Sequence, residues 1–190
     1  MRLFFAIECP LEIRKRAFDA ANSIVRQMPI LKAKAVPIEN LHITLAFLGE
    51  KTEEELARIT ETFSSLSFDI NAFDLELYGA GAFPDHKFPR IIWIGAKDAS
   101  ASLIKLYNQV SDALARHNIA FDDKKGFRPH LTVARIRDPK RAHGFDEVIA
   151  NKQESFGKWK IGSFVLFESR LQRPHSMYIP QQGFSFKRDQ

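Results

Sequence analysis

The sequence is short of everything that staples or anchors a chain. Its 190 residues include one cysteine, Cys9. No intrachain disulfide can form, and a reducing, cytoplasmic setting is the expectation. Long apolar runs are missing too. The longest early run, residues 3–7, has five residues and stops at Glu8. A signal core needs roughly 7–15 and a membrane span about 20, so neither a leader nor a membrane anchor is expected. There is no Gly-rich phosphate loop of the Walker or dinucleotide type. Low-complexity composition is also absent: hydrophobic residues make up 45% and charged ones 27%, an ordinary globular balance. The charge is only mildly one-sided, 28 Lys+Arg against 23 Asp+Glu, or +5. A polyanionic partner would suit that excess, and so would a plain solvated surface.

What is present follows an alternating order. Residues 2–8 read as a short buried strand. Pro10 then opens a helix to about Met28, with Ile13, Ala17, Ala21 and Ile24 three or four apart. Residues 41–48 read as a strand, and Thr52 with Glu55 forms a capping-box signature for a helix carrying Leu56, Ile59 and Phe63. Residues 69–79 suit a strand and are followed by a Gly- and Pro-rich loop, then a strand over 90–95. A helix over 100–117, a strand over 128–136, a short helix near 141–151, a strand over 158–168 and a last strand over 183–187 complete the reading.

That order suggests an internal repeat. Sliding the sequence by 88 lays His42-Ile43-Thr44-Leu45-Ala46 on His130-Leu131-Thr132-Val133-Ala134 and Leu3-Phe4-Phe5 on Ile91-Ile92-Trp93. The expectation is an α+β fold in one domain, 1–190, built from two similar lobes with repeat units near 2–80 and 90–170. Antiparallel sheets should line a central cleft, related by a pseudo-twofold axis, with helices outside. The length, awkward for one average domain and for two, fits such a pair.

Each repeat carries a His-x-Thr strand. Residues i and i+2 of a strand share a face, so His42 projects with Thr44, and His130 with Thr132. Either histidine alone reads more readily as a solvated side chain on a strand face. The pair at matched positions does not, because packing has no use for a polar pair twice over. Brought together across a cleft, two imidazoles with pKa near 6.5 can serve as one proton donor and one acceptor. In-line displacement at phosphorus needs groups on opposite sides, and the threonine hydroxyls can hold phosphate oxygens. Zinc is a poor fit: two histidines beside threonines fall short of the three protein ligands it takes. No metal and no cofactor is expected. Arg128 is in phase with His130 and could add charge against a dianionic transition state. The basic pairs Lys124-Lys125 and Lys140-Arg141 suit either wet surface or phosphate contact. His86, His117, His143 and His175 read as solvent-facing or helix-end residues.

The segments ENLHITLAFLG and FRPHLTVAR, with RLFFAIE, GAFP at 81–84, PRIIWIG and a closing LFESRL…Y, resemble the two-histidine (2H) phosphoesterases. Within them the chain is most similar to the RNA 2′,3′-cyclic phosphodiesterases, also called 2′-5′ RNA ligases. The resemblance implies a bilobed α+β fold, metal-free hydrolysis of a 2′,3′-cyclic phosphate end to a 2′-phosphate, and His42 and His130 as the catalytic pair. It assigns phosphate contact to Thr44 and Thr132. It assigns the acid towards the 3′ oxygen to the first histidine and the base for water to the second. It also suggests substrate contact from Phe47 and Arg135, each five residues beyond its histidine. Strict alternation puts those two on the wrong face, so the strand must end or bulge first. Many relatives have a basic-aromatic pair before the Val-Pro; here Lys34 keeps the charge and Ala35 lacks the ring. The expected partner is RNA or a nucleotide with a cyclic end, met by a monomer away from membranes. Reverse 2′-5′ ligation is an expected side activity. Hydrolysis of small cyclic phosphates of the ADP-ribose type, or a non-catalytic RNA-end-binding module, are the alternative readings.

Overall fold

The computed structural model describes residues 1–122, 126–172 and 175–186; the Lys124-Lys125 pair lies outside them. Its helices form where apolar spacing and caps dictate. Helix α1 (Leu11–Gln27) buries Ile13, Ala17, Ala20, Ala21 and Ile24 on one stripe. Helix α2 (Glu53–Ser65) starts at the expected capping box. Thr52 Oγ1 accepts from the Glu55 N–H at 3.1 Å, and Glu55 Oε2 accepts from the Thr52 N–H at 2.8 Å. Helix α3 (Ser102–Arg116) buries Leu103, Leu106, Val110, Ala113 and Leu114, and a short α4 spans Phe145–Ala150.

The strands are β1 (Arg2–Glu8), β2 (Lys34–Ala35), β3 (His42–Glu50), β4 (Phe73–Phe83), β5 (Ile91–Lys97), β6 (His130–Arg135), β7 (Ser155–Ile161), β8 (Ser163–Arg170) and β9 (Met177–Ser185). They pair antiparallel in the order β7-β4-β5-β6-β3-β1-β8-β9, with β2 on β6. The class is α+β, with a curled antiparallel sheet. Outward from the β6/β3 centre, strands 88 residues apart, or nearly so, take mirrored places. The third strands are exchanged: β4 pairs with β5 of the second repeat, and β8 with β1 of the first. The first strands are offset by 87 rather than 88, because His42 pairs across from Glu8 and His130 from Gly95, and 95 − 8 = 87.

Three segments differ from the sequence reading. The Gly-rich stretch expected as a loop is strand: β4 runs through Gly79, Gly81 and Phe83. Gly81 is needed there because a Cβ would overlap the Trp93 indole laid across it. The stretch 158–168 is two strands broken at Gly162, since β7 pairs with β4 at one end of the sheet and β8 with β1 in the other half. The last strand begins earlier, at Met177, and carries Pro180 and two glutamines. An edge strand with little burial tolerates proline and shows no apolar alternation.

The core lies between the sheet and the helices, with Phe5, Phe63, Phe145 and Phe164 fully buried. Trp93 lies on the opposite face, over Gly81. Gly81→Ala should therefore overpack that face and cost about 1–3 kcal/mol. Urea unfolding would read this as a lower midpoint with an unchanged slope. A midpoint equal to that of the wild type would contradict the close approach.

Candidate active site

Strands β3 and β6 meet at one backbone pair, Ile43 with Leu131. From that pairing His42 lies across from Thr132, and Thr44 across from His130, all four on one face. Ile43, Leu45, Leu131 and Val133 point to the core and are buried. The two histidines therefore stand on a diagonal. A regular ladder sets such positions about 7–8 Å apart. Here the strands also part on either side of the pair. Residues Lys34–Val36 pair along one end of β6, and the Asp122 N–H donates to the Phe47 carbonyl along the far end of β3. The result is a groove with one imidazole on each bank.

Both rings are held alike. The Nδ1–H of His42 donates to the Asn40 carbonyl at 2.8 Å, and that of His130 to the Arg128 carbonyl at 2.6 Å. A carbonyl only accepts, so the neutral tautomer is fixed with Nε2 as the free, basic nitrogen. Nε2 of His42 meets the Thr44 hydroxyl at 3.0 Å.

Phe47 and Arg135 reach the same face by the required bulges. In β3 the register slips between Ala46 and Thr44, so Phe47 stands beside Phe4. In β6 it slips between Ala134 and Thr132, so Arg135 stands beside Ile91, in phase with Trp93 and Thr132. The extra residues, Leu45 and Val133, are equivalent across the repeat. Phe47 is 52% exposed, an aromatic face open to solvent. Lys34 pairs directly across from Arg135, setting two cations side by side. The Arg128 guanidinium lies over the Phe83 ring, 5.5 Å from its centre.

The walls differ between the banks. Phe4 packs 4.8 Å from His42, and Tyr178 meets His42 edge-on at 5.1 Å. On the other bank Phe83 meets His130 edge-on at 5.0 Å. Phe4 was hidden in sequence inside an apolar run, and Tyr178 in a strand that did not read as one. Burial is the main reason His42 is pushed down to about 4, opposed by its bond to Asn40 and aided by the charges of Arg135 and His130. His130 is lowered too, first by burial and then by Arg135. Arg135 thus acts on both rings.

The remaining nucleophile and histidines stand apart. Burial pushes the Cys9 thiol up to about 12, so it stays an inert thiol. His86 pairs with Asp146 at 2.7 Å, in a hollow with Pro84, Asp85 and Lys87 that contains none of the motif residues.

Comparison with known proteins gives a consistent family. The family described as AKAP7 2′5′ RNA ligase-like domain matches residues 3–186. An RNA 2′,3′-cyclic phosphodiesterase of Archaeoglobus fulgidus is 39% identical over 172 residues, covering 90% of this chain and 92% of its own. The crystal structure of TT0787 of Thermus thermophilus superposes with a TM-score of 0.79 at 28% identity over 100% of both chains. That of Escherichia coli LigT complexed with 3′-AMP gives 0.73 at 26% identity over 97% of both.

Burial of His42 has a measurable consequence for stability. An unfolded histidine takes up its proton near pH 6.5, whereas folded His42 does so at about 4. Between those values the unfolded chain binds more protons, so stability is lost as pH falls through the window. Imidazole NMR should give a His42 midpoint near 4 and a His130 midpoint below 6.5. His42→Gln should flatten the pH dependence of urea stability between 6.5 and 4. A His42 midpoint at or above 6.5 would refute the burial account.

Proposed function

The chain belongs to the 2′-5′ RNA ligase-like family of two-histidine phosphoesterases, and on that premise we propose that it hydrolyses RNA 2′,3′-cyclic phosphate ends to 2′-phosphomonoesters. The observation that carries this reading is the matched hold on two imidazoles across one groove, each with Nδ1 tied to a carbonyl two residues upstream.

The cyclic phosphodiester sits between the rings with its non-bridging oxygens against the Thr44 and Thr132 hydroxyls. His130 takes a proton from water as the water oxygen bonds to phosphorus. The bond from phosphorus to the 3′ oxygen breaks on the opposite side, and His42 gives that oxygen a proton. The products are a 2′-phosphate and a 3′-hydroxyl. Arg135, and Arg128 from the His130 bank, oppose the charge that builds on phosphate in the transition state. Phe47 offers its exposed ring to the base. No metal takes part: each imidazole has its Nδ1 committed to a carbonyl, and Nε2 of His42 meets a threonine hydroxyl, a donor set that suits proton transfer.

The two rings are held so similarly that the reverse direction is open to the same groups. A 5′-hydroxyl in place of water would then give a 2′-5′ bond, with hydrolysis dominant in water. Both histidines, both threonines and both arginines come from one chain, which supports a monomer of one two-lobed domain as the working unit, acting in the cytoplasm. None of the four helices is long and apolar enough to cross a membrane among the described residues.

Incubation with a cyclic-ended oligonucleotide and EDTA should leave turnover intact and release a 2′-phosphate. His42→Ala and His130→Ala should each lose about 10²–10⁴-fold in kcat. The working form carries one proton on the pair, placed on His42 while His130 is neutral, so kcat/KM should rise with a limb near pH 4 and fall with a limb below pH 6.5, and the form with that proton on His130 should be the more populated and idle one. The kcat limbs should lie higher, because bound phosphate favours both imidazolium forms. Loss of activity on chelation, or full activity in the double alanine variant, would sink the proposal. Binding without turnover would instead favour an end-binding module.

A further inference from the structure

The two banks share one device and differ in what secures it. Asn40 and Arg128 occupy equivalent positions, two residues before each histidine, and each supplies the carbonyl that accepts the Nδ1–H. Their side chains do different things. The Arg128 guanidinium lies over the Phe83 ring. The Asn40 side chain turns inward. With 7% exposure it is one of two buried polar residues among those described, the other being Glu168. Its Nδ2 donates to the Ser176 carbonyl at 2.6 Å, joining positions 136 residues apart in sequence.

Ser176 leads directly into β9, and Tyr178 follows two residues later, edge-on to both His42 and Phe4 at 5.1 and 5.0 Å. One residue therefore grips the site twice. Its main-chain oxygen fixes the His42 tautomer. Its side-chain amide pins the entry to the strand that carries the ring walling His42. The turn around it is braced as well: the Asn40 N–H donates to the Pro37 carbonyl at 2.9 Å, and an Arg14 NH of α1 donates to the Ile38 carbonyl at 3.4 Å. The Leu41 N–H, which shares a peptide plane with the Asn40 carbonyl, donates to the Ile38 carbonyl at 3.4 Å, so that plane resists the rotation that would release the imidazole.

We propose that Asn40 is a positioning residue that couples the orientation of His42 to the seating of Tyr178 over it. The inference rests on the cyclic-phosphodiesterase reading. Without Asn40, the Asn40–Ser176 bond is lost, the entry to β9 loosens, and His42 can rotate or take its proton on Nε2 instead. His130, whose upstream Arg128 makes no such bond among the described residues, keeps its place. Neighbours facing His42 are unchanged by the substitution: Arg135 and His130 from β6, Thr44 on its own strand, and Tyr178 from β9.

The test uses the full chain, 2′,3′-cyclic AMP as substrate, and two-dimensional ¹H–¹⁵N spectra of the imidazoles. In wild type at neutral pH, His42 should be the Nδ1–H tautomer. Asn40→Ala, shown to be folded by circular dichroism, should lose about 10–100-fold in kcat with KM moved less than threefold. Its His42 resonances should show a mixture of tautomers while those of His130 stay fixed. Asn40→Asp keeps the shape but lacks the N–H donor. It should behave like alanine above its carboxyl pKa and recover activity below it, where the protonated carboxyl can donate to the Ser176 carbonyl. Wild-type kcat in folded Asn40→Ala would overturn the proposal. So would an Nε2–H tautomer of His42 in the wild-type protein, a measurement that needs no variant. Failure of the cyclic-phosphodiesterase reading itself would appear separately, as absence of turnover in wild type.

Discussion

One backbone pairing, Ile43 with Leu131, sets the relation of everything in the groove. It is the only paired position joining β3 to β6 among the described residues. Antiparallel geometry then leaves no freedom: each histidine must lie across from the other strand's threonine, and the two rings must stand on the diagonal. Because the strands part on both sides, the same point that joins the banks also opens the cleft between them. A slip of one residue by either strand would turn that strand's histidine and threonine into the core and its apolar neighbours into the groove.

The bulges at Leu45 and Val133 complete that constraint. Each adds one residue after the His-x-Thr pair, flips the alternation, and brings Phe47 or Arg135 onto the working face. The two banks use this shared frame for different ends. One presents an aromatic face, the other a guanidinium backed by Lys34. The histidines diverge in the same way, with His42 walled by Phe4 and Tyr178 and held deeper than His130. Symmetry of the backbone with asymmetry of the side chains gives two like groups in unlike environments, which paired acid–base chemistry needs.

Much of this was legible in sequence, because the features involved are local or repeated. The His-x-Thr phase, the need for a bulge before Phe47 and Arg135, and the capping box at Thr52 all follow from spacing within a few residues. What was not legible depends on partners far away. Nothing near Gly81 announces that Trp93 will lie over it, so the glycine-rich stretch reads as loop. The exchange of β4 and β8 between the repeats is invisible to an offset comparison. The hydrogen bond from Asn40 to Ser176 spans 136 residues and involves a main-chain acceptor, which no pattern of side chains encodes. Tyr178 sits on an edge strand whose polar, proline-containing sequence lacks alternation.

If the reading is right, one imidazole serves the attacking oxygen and the other the leaving oxygen, on opposite sides of one phosphorus. A crystal structure with a uridine–vanadate complex tests it most directly, since vanadate adopts the five-coordinate geometry of in-line displacement. The account predicts Nε2 of His42 and Nε2 of His130 each within about 2.6–3.2 Å of opposite apical oxygens. Both rings on the same side of the vanadate, or either ring outside hydrogen-bond reach, would contradict it.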